Sequence, residues 1–274
     1  MKKNIPFLKA ALGTALLLTL FSLVWACSTV PLTGRRQFSL ISDESIHALS
    51  FEQYDEFLKT NPVVTDSPDL WMVRRVGRRI QHGVEKYFEE QGMSRLLKDY
   101  QWEFNLVEDD AINAWCMPGG KVVVYTGLLP VSRTEEGLAV VMGHEIAHAV
   151  ARHGAERMSQ QMALQMGGMA LSEALAQKPE ETQTLWSAVY GLGAQFSIML
   201  PYSRLHESEA DHLGLIFMAL AGYNPETAVE FWQEMSQSGG AKPPEFLSTH
   251  PSDATRIADI QQWMPEALKY YRPH

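Results

Sequence analysis

The chain has 274 residues, 46% of them hydrophobic and 20% charged, with a formal net charge of −9 at pH 7. An acidic balance of this size repels phosphate backbones and argues against nucleic acid as a partner. Lys2, Lys3 and Lys9 all lie at the extreme N-terminus, so the rest of the chain is more acidic still.

Those lysines form a positive n-region, and Ala10 to Trp25 is an apolar run that ends at Ala26-Cys27. The pattern predicts a signal peptide over residues 1–26. It is shorter than the ~20 apolar residues of a bilayer-spanning helix. Val24-Trp25-Ala26-Cys27 resembles a bacterial lipobox, with Cys27 as the acylated residue after cleavage. Trp25 stands where a lipobox carries a small residue, which leaves an uncleaved anchor as the alternative. Ser28, rather than aspartate, follows the cysteine, which in a Gram-negative source implies delivery to the outer membrane. The remaining length suits one substantial domain. Once Cys27 carries lipid, Cys116 is alone, no internal disulfide forms, and a buried inert thiol is expected.

Residues 28–41, with Pro31, Gly34 and the pair Arg35-Arg36, lack periodicity and read as a tether. A helix is predicted from Asp43 to about Lys59. Another follows Pro68, where Leu70, Val73, Val76, Ile80, Val84 and Phe88 recur at helical spacing. From Tyr100 the pattern alternates through Trp102, Phe104 and Leu106, and a second β-type run covers Lys121 to Thr126 after Pro118-Gly119-Gly120. Ser132 and Glu135 fit a capping box for a helix running to about Gln160. Residues 161–200, rich in Met, Ala and Leu, suggest a helical hairpin broken at Gly167-Gly168 and Lys178-Pro179, its Met158 to Met169 segment assigned to the core rather than to a client or membrane surface. A helix from Ser203 to Ala221 follows, then one opened by Asn224-Pro225 and running to about Gln237, and a last one after Pro251.

His144-Glu145-Ile146-Ala147-His148 reads H-E-x-x-H. On a helix its two histidines lie about 40° apart around the axis and share one face, with Glu145 beside them. The pattern suits zinc, which lowers the pKa of a bound water to ~7 while the carboxylate takes its proton and passes it to the leaving amine. The motif needs a third ligand. A metzincin would supply it through H-E-x-x-H-x-x-G-x-x-H, but Ala151 and Gly154 replace that glycine and histidine. Glu207 and Asp211, spaced i and i+4 on a later helix, offer a ligand and an acceptor for a ligand histidine's N–H, with Glu209 as the rival to Glu207. His153, about 140° round from His148, is expected to face away and to pack or hydrogen-bond. His206 and His212 are expected in solvated or supporting roles.

The segments NAWCMPGGKVVVYTGLL, HEIAHAVARHG, SRLHESEADHLG and STHPSDATRI together resemble the zinc metallopeptidase family of HtpX and the CAAX prenyl protease. Their order runs from about Asn113 to Ile257, and they are most similar to the periplasmic lipoprotein peptidases and their mitochondrial inner-membrane relative. The resemblance implies an α+β, mostly helical, gluzincin-type fold, with a small sheet packed on the H-E-x-x-H helix. Taken with the leader and tether read above, the chain is expected to divide into the leader (1–26), a tether and helix (27–64) and the metallopeptidase domain (65–274). One zinc ion would be held by His144, His148 and Glu207, with Glu145 as general base and Asp211 in support. His250 would steady the oxyanion or fill the open metal position in a latent form, with Arg256 supporting it. Gly119, Gly120, Lys121, Val122, Val123 and Val124 would form the edge to which an extended peptide adds as a strand.

The implied activity is endopeptidase quality control of misfolded or misassembled envelope proteins, by a periplasmic, lipid-anchored enzyme with outer-membrane assembly machinery as a candidate partner. Two alternatives stay open. One is a chaperone-like or adaptor lipoprotein that binds clients and seldom cleaves them; the other is a metal-dependent hydrolase of non-peptide bonds.

Overall fold

The computed structural model describes residues 27–194, 199–237, 246, 248, 250 and 255–273. The expected leader, the side chain of Cys27 expected to carry lipid and the expected helix start at Pro251 lie outside what it describes.

The long wall of the core is α2 (Pro68–Glu90), preceded by α1 (Asp43–Thr60). Ser67 caps α2 by accepting from the Leu70 amide at 3.0 Å, with Pro68 in the first turn. The stripe from Leu70 to Phe88 is fully buried, as its spacing predicts. Each such side chain contributes about 1.5–3 kcal/mol by leaving water.

Two strands are expected in the small sheet and, among the described residues, three form it: β3 (Glu103–Val107), β4 (Ala114–Met117) and β5 (Lys121–Tyr125). Four residues, Ala-Trp-Cys-Met, are too few for alternation to reveal β4. The sheet order is β3-β5-β4, with β5 parallel to β3 and antiparallel to β4. Gly119 and Gly120 turn the β4–β5 hairpin at φ 88° and 90°, where a side chain is strained. This order corrects the expected substrate edge. The run from Gly119 to Val124 forms the hairpin turn and the central strand, whose backbone groups are paired on both sides. Among the described residues the open edge belongs to β4, since β3 is capped by a bridge between Val63 and Val107.

The expected tether is instead a two-stranded ribbon, β1 (Cys27–Thr29) with β2 (Arg36–Phe38). Val30 enters the main core, and buried Gln37 donates to the Ala151 carbonyl at 2.9 Å.

After the short helix α3 (Leu129–Ser132) comes α4 (Glu135–Val150). Its cap is Thr134, which accepts from the Gly137 amide at 3.1 Å, whereas Ser132 closes α3. Nor does α4 reach Gln160. Arg152 takes a left-handed conformation (φ 61°, ψ 30°) that breaks the helix, and α5 (His153–Leu175) leaves in a new direction. The predicted hairpin forms from α5 and α6 (Glu180–Ala194), turning at residues 176–179 rather than at Gly167-Gly168. Met162, Met166 and Met169 are exposed on it, against the expectation of core. The remaining helices are α7 (Leu200–Leu220), α8 (Thr227–Gln237) and α9 (Arg256–Ala267). No described helix is long and apolar enough to cross a membrane.

Buried along nearly its whole length, α4 meets α7 through two glycines. A Cβ on Gly143 would stand 2.9 Å from the Gly214 carbonyl oxygen, and one on Gly214 would stand 3.0 Å from the His144 amide nitrogen. Backbone obstructs both positions, so neither can relax by turning a side chain. Gly214→Ala is therefore expected to cost about 1–3 kcal/mol, as overpacking does. A thermal midpoint unchanged from wild type would refute this account of the crossing.

Candidate metal centre

The α4–α7 crossing sets two imidazoles of α4 against the carboxylates of α7. His144 Nε2 lies 3.0 Å from His148 Nε2 and 3.2 Å from Glu207 Oε2, and His148 Nε2 lies 3.5 Å from Glu207 Oε1. His250 closes the group, its Nδ1 3.3 Å from His144 Nε2 and 3.1 Å from Glu207 Oε2. One ligand atom from each of these four residues falls within 4.8 Å of the others, which could hold a single metal ion.

The residues fit zinc on more than proximity. Glu207 Oε1 is buried with no hydrogen-bond partner, a costly state that a cation relieves. Each helix histidine also has its ring turned for ligation. The Asp211 carboxylate oxygen accepts here, so His144 Nδ1–H donates to it at 2.9 Å and leaves the Nε2 lone pair facing the cluster. Arg256 in turn donates to Asp211 at 2.6 Å while its guanidinium lies 3.4 Å over the Trp232 ring. Arg256 thus supports the site through Asp211, not through His250 as expected. His250 is instead steadied by Phe246, with rings stacked at 4.5 Å, and by its amide donating to the Phe246 carbonyl.

For His148 the partner is His153, their Nδ1 atoms 2.8 Å apart. The break at Arg152 turns His153 back, so it does not face away from the site. It is no ligand, but it touches one. His153 Nε2 lies 3.0 Å from Glu209 Oε2, so Nε2–H donates there and Nδ1 is left to accept from His148. Burial favours this neutral form, lowering the His153 pKa to about 4 although Glu209 pulls the other way. Glu209 therefore serves the rear of the site, and Glu207 is the member of the cluster. Of the other side chains in question, His206 pairs with Glu156 at 2.9 Å, and His212 pairs with Glu266 and stacks on Trp263.

Charges in the site are strongly coupled. Burial works to lower the His144 pKa, but the Asp211 and Glu207 carboxylates outweigh it and raise it to about 9. Burial likewise opposes ionisation of Glu207, yet His148, His144 and His250 hold its carboxyl far below the usual range. For Glu145 burial wins, and its carboxyl is pushed up. Glu145 Oε1 is buried without a hydrogen-bond partner, 3.4 Å from His250 Nε2. A carboxylate so placed is ready to accept a proton. Burial also raises the Cys116 thiol well above its ordinary value, consistent with an inert group.

The chain from residue 75 to 264 matches the model of peptidase family M48, and it belongs to that family. It is 34% identical over 243 residues to the mitochondrial metalloendopeptidase OMA1 of Schizosaccharomyces pombe, covering 87% of this chain and 66% of that one. To the human metalloendopeptidase OMA1, mitochondrial, it is 32% identical over 249 residues, covering 87% and 46%. The beta-barrel assembly-enhancing protease of Escherichia coli K12 is 31% identical over 164 residues, covering 58% and 34%. The chain thus spans from about a third to about two thirds of the length of these curated relatives.

An acid limb of stability follows from the rear of the site. Burial opposes ionisation of Glu156, but His206 and Arg35 outweigh it and lower its pKa to about 2. Because the folded value lies below the ordinary one near 4.5, this stabilisation is present above pH ~4.5 and is lost as pH falls toward 2. Glu156→Gln should therefore be less stable than wild type at pH 5 to 7, with the gap closing as the pH drops below 4.5. Thermal melts across that range check it, and a gap independent of pH would contradict the assignment.

Proposed function

We propose that the protein is a zinc-dependent endopeptidase that cleaves misfolded or misassembled proteins of the cell envelope. The observation that carries the reading is the convergence of His144, His148 and Glu207, from two helices, beside a buried Glu145. His144, His148 and Glu207 would hold a zinc ion, which would supply Lewis acidity to a water molecule and to the scissile carbonyl. Glu145 accepts the proton of that water as its oxygen bonds to the carbonyl carbon, and delivers the proton to the amine nitrogen as the C–N bond breaks. His144 and His148 stay oriented through Asp211 and His153, and Arg256 restrains Asp211.

Substrate enters this scheme as an extended strand on the open edge of β4, in place of the run from Gly119 to Val124. β4 packs directly on α4, the helix that carries Glu145. The leader pattern with Cys27 supports export and a lipid anchor, and hence a periplasmic face of the outer membrane. The Escherichia coli relative is a beta-barrel assembly-enhancing protease, which supports clients of the cell envelope. His250 sits among the metal donors, which supports the latent arrangement rather than an oxyanion role.

The client-binding alternative draws on one observation. Met162, Met166, Met169, Leu185, Trp186 and Val189 expose apolar surface on the α5–α6 hairpin, where methionine adapts to varied partners. Glu145→Gln separates the two readings. For an endopeptidase, cleavage of an unfolded test protein should fall by roughly 10²–10⁴-fold, the weight of a general base, while zinc remains bound. Full cleavage by the variant would remove Glu145 from the mechanism, and client capture without any cleavage by the wild type would favour the adaptor.

His250→Ala provides a second check. If His250 holds a latent form, removing it should speed cleavage of a small unfolded substrate while weakening zinc retention. Slower cleavage with zinc fully bound would instead assign it to the oxyanion.

A further inference from the structure

Behind the metal centre lies a second buried cluster that the proposed reaction does not use. Glu156 of α5 and Glu209 of α7 stand together there, both almost wholly inaccessible to solvent. Arg35, on the loop between β1 and β2, joins them. Its Nε donates to Glu209 Oε2 at 2.8 Å, its Nη2 to Glu156 Oε2 at 2.7 Å and its Nη1 to Glu156 Oε1 at 3.1 Å. The Thr33 hydroxyl also donates to Glu209, and the Phe38 amide donates to Glu156 at 3.2 Å. Two buried carboxylates side by side repel one another, and a forked guanidinium is the side chain that can hold both ionised in fixed orientations.

The cluster continues to the metal donors without a gap. Glu209 receives His153 Nε2–H, and His153 Nδ1 meets His148 Nδ1 at 2.8 Å. His153 is also stacked on His206, their ring centres 4.3 Å apart, and His206 is bound to Glu156. Both carboxylates held by Arg35 therefore bear on His153, one through a hydrogen bond and one through the stacked ring. If either carboxylate is released, His153 loses the acceptor or the packing that determines which nitrogen it offers to His148.

Resting on the reading of a zinc site given above, we propose that Arg35, brought in by the N-terminal ribbon, is a positioning residue of the metal centre. It clamps Glu209 and Glu156, they set His153, and His153 aims His148 Nε2 at the ion. Docking of the ribbon and metal binding are then linked, each strengthening the other.

The test is the zinc dissociation constant, measured by competition with a chromogenic chelator well below the unfolding temperature. Arg35→Ala should weaken zinc binding roughly tenfold, the low end for groups that orient a ligand. Arg35→Lys should fall between, because one ammonium cannot fork across two carboxylates. His153→Phe keeps the stack on His206 but cannot accept from His148. In that background Arg35→Ala should cost zinc affinity nothing further. On zinc addition to the wild type, hydrogen exchange at the Phe38 amide should slow.

Wild-type zinc affinity in Arg35→Ala would overturn the proposal, as would an equal loss with and without His153, the mark of a ribbon staple that acts on stability alone. Should the alanine variant fail to fold, the same cycle run with Arg35→Lys decides by the same criteria. A wild-type chain that binds no zinc would instead overturn the endopeptidase reading and this inference with it. Tight wild-type binding with no effect of Arg35 would sink this inference alone.

Discussion

The close approach of α4 and α7 at Gly143 and Gly214 is the constraint on which the metal centre rests. With no side chain at either position, the His144 backbone lies against Gly214, one turn from Asp211 and two from Glu207. That separation is what lets two imidazoles from one helix and one carboxylate from the other meet within hydrogen-bond distance. Bulk at the crossing would part the ligand atoms and leave the carboxylates buried without partners, which is more costly than lost packing. The apolar shell of α2, the sheet and α9 holds the crossing together, so the core serves to fix a polar object at its centre.

That polar object is satisfied layer by layer. Asp211 turns His144, and Arg256 holds Asp211 from a helix near the C-terminus while resting on Trp232. On the other side His153 turns His148, Glu209 turns His153, and Arg35 holds Glu209 from near the N-terminus. Both ligand histidines thus end on a carboxylate of α7 held by an arginine, and the two arginines come from near opposite ends of the described chain. The arrangement keeps buried ionised groups paired, the condition under which they can be buried at all. It also makes ligand geometry depend on segments far from the H-E-x-x-H helix.

The sheet flanks the metal centre in a way set by its order rather than its size. Because β5 lies between β3 and β4, the Lys121 to Tyr125 run is paired on both sides, and among the described residues the open edge falls to the short strand Ala114–Met117 against α4. Parallel pairing of β3 with β5 requires the chain to cross over between them, and β4 forms within that crossover.

Much of this was legible in the residues. The H-E-x-x-H spacing, the Glu207 and Asp211 pair and the α2 stripe are local patterns, and helix geometry alone decides which of their side chains share a face. They offered His144 and His148 as ligand candidates with Glu207 or Glu209 as the third; the fold class and the choice of Glu207 came from the resemblance of four ordered segments to a known family. Other features depended on contacts between distant segments. Thr134 rather than Ser132 caps α4 because the chain turns at Arg133, and the left-handed Arg152 turns His153 toward the site that periodicity said it should avoid. Strand order, exposure of the Met162 to Met169 face and the reach of Arg35 across 121 and 174 residues to its carboxylates have no local signature. Backbone periodicity writes the first kind of information into short windows of sequence. The second kind arises only when tertiary packing brings edges, loops and buried charges together.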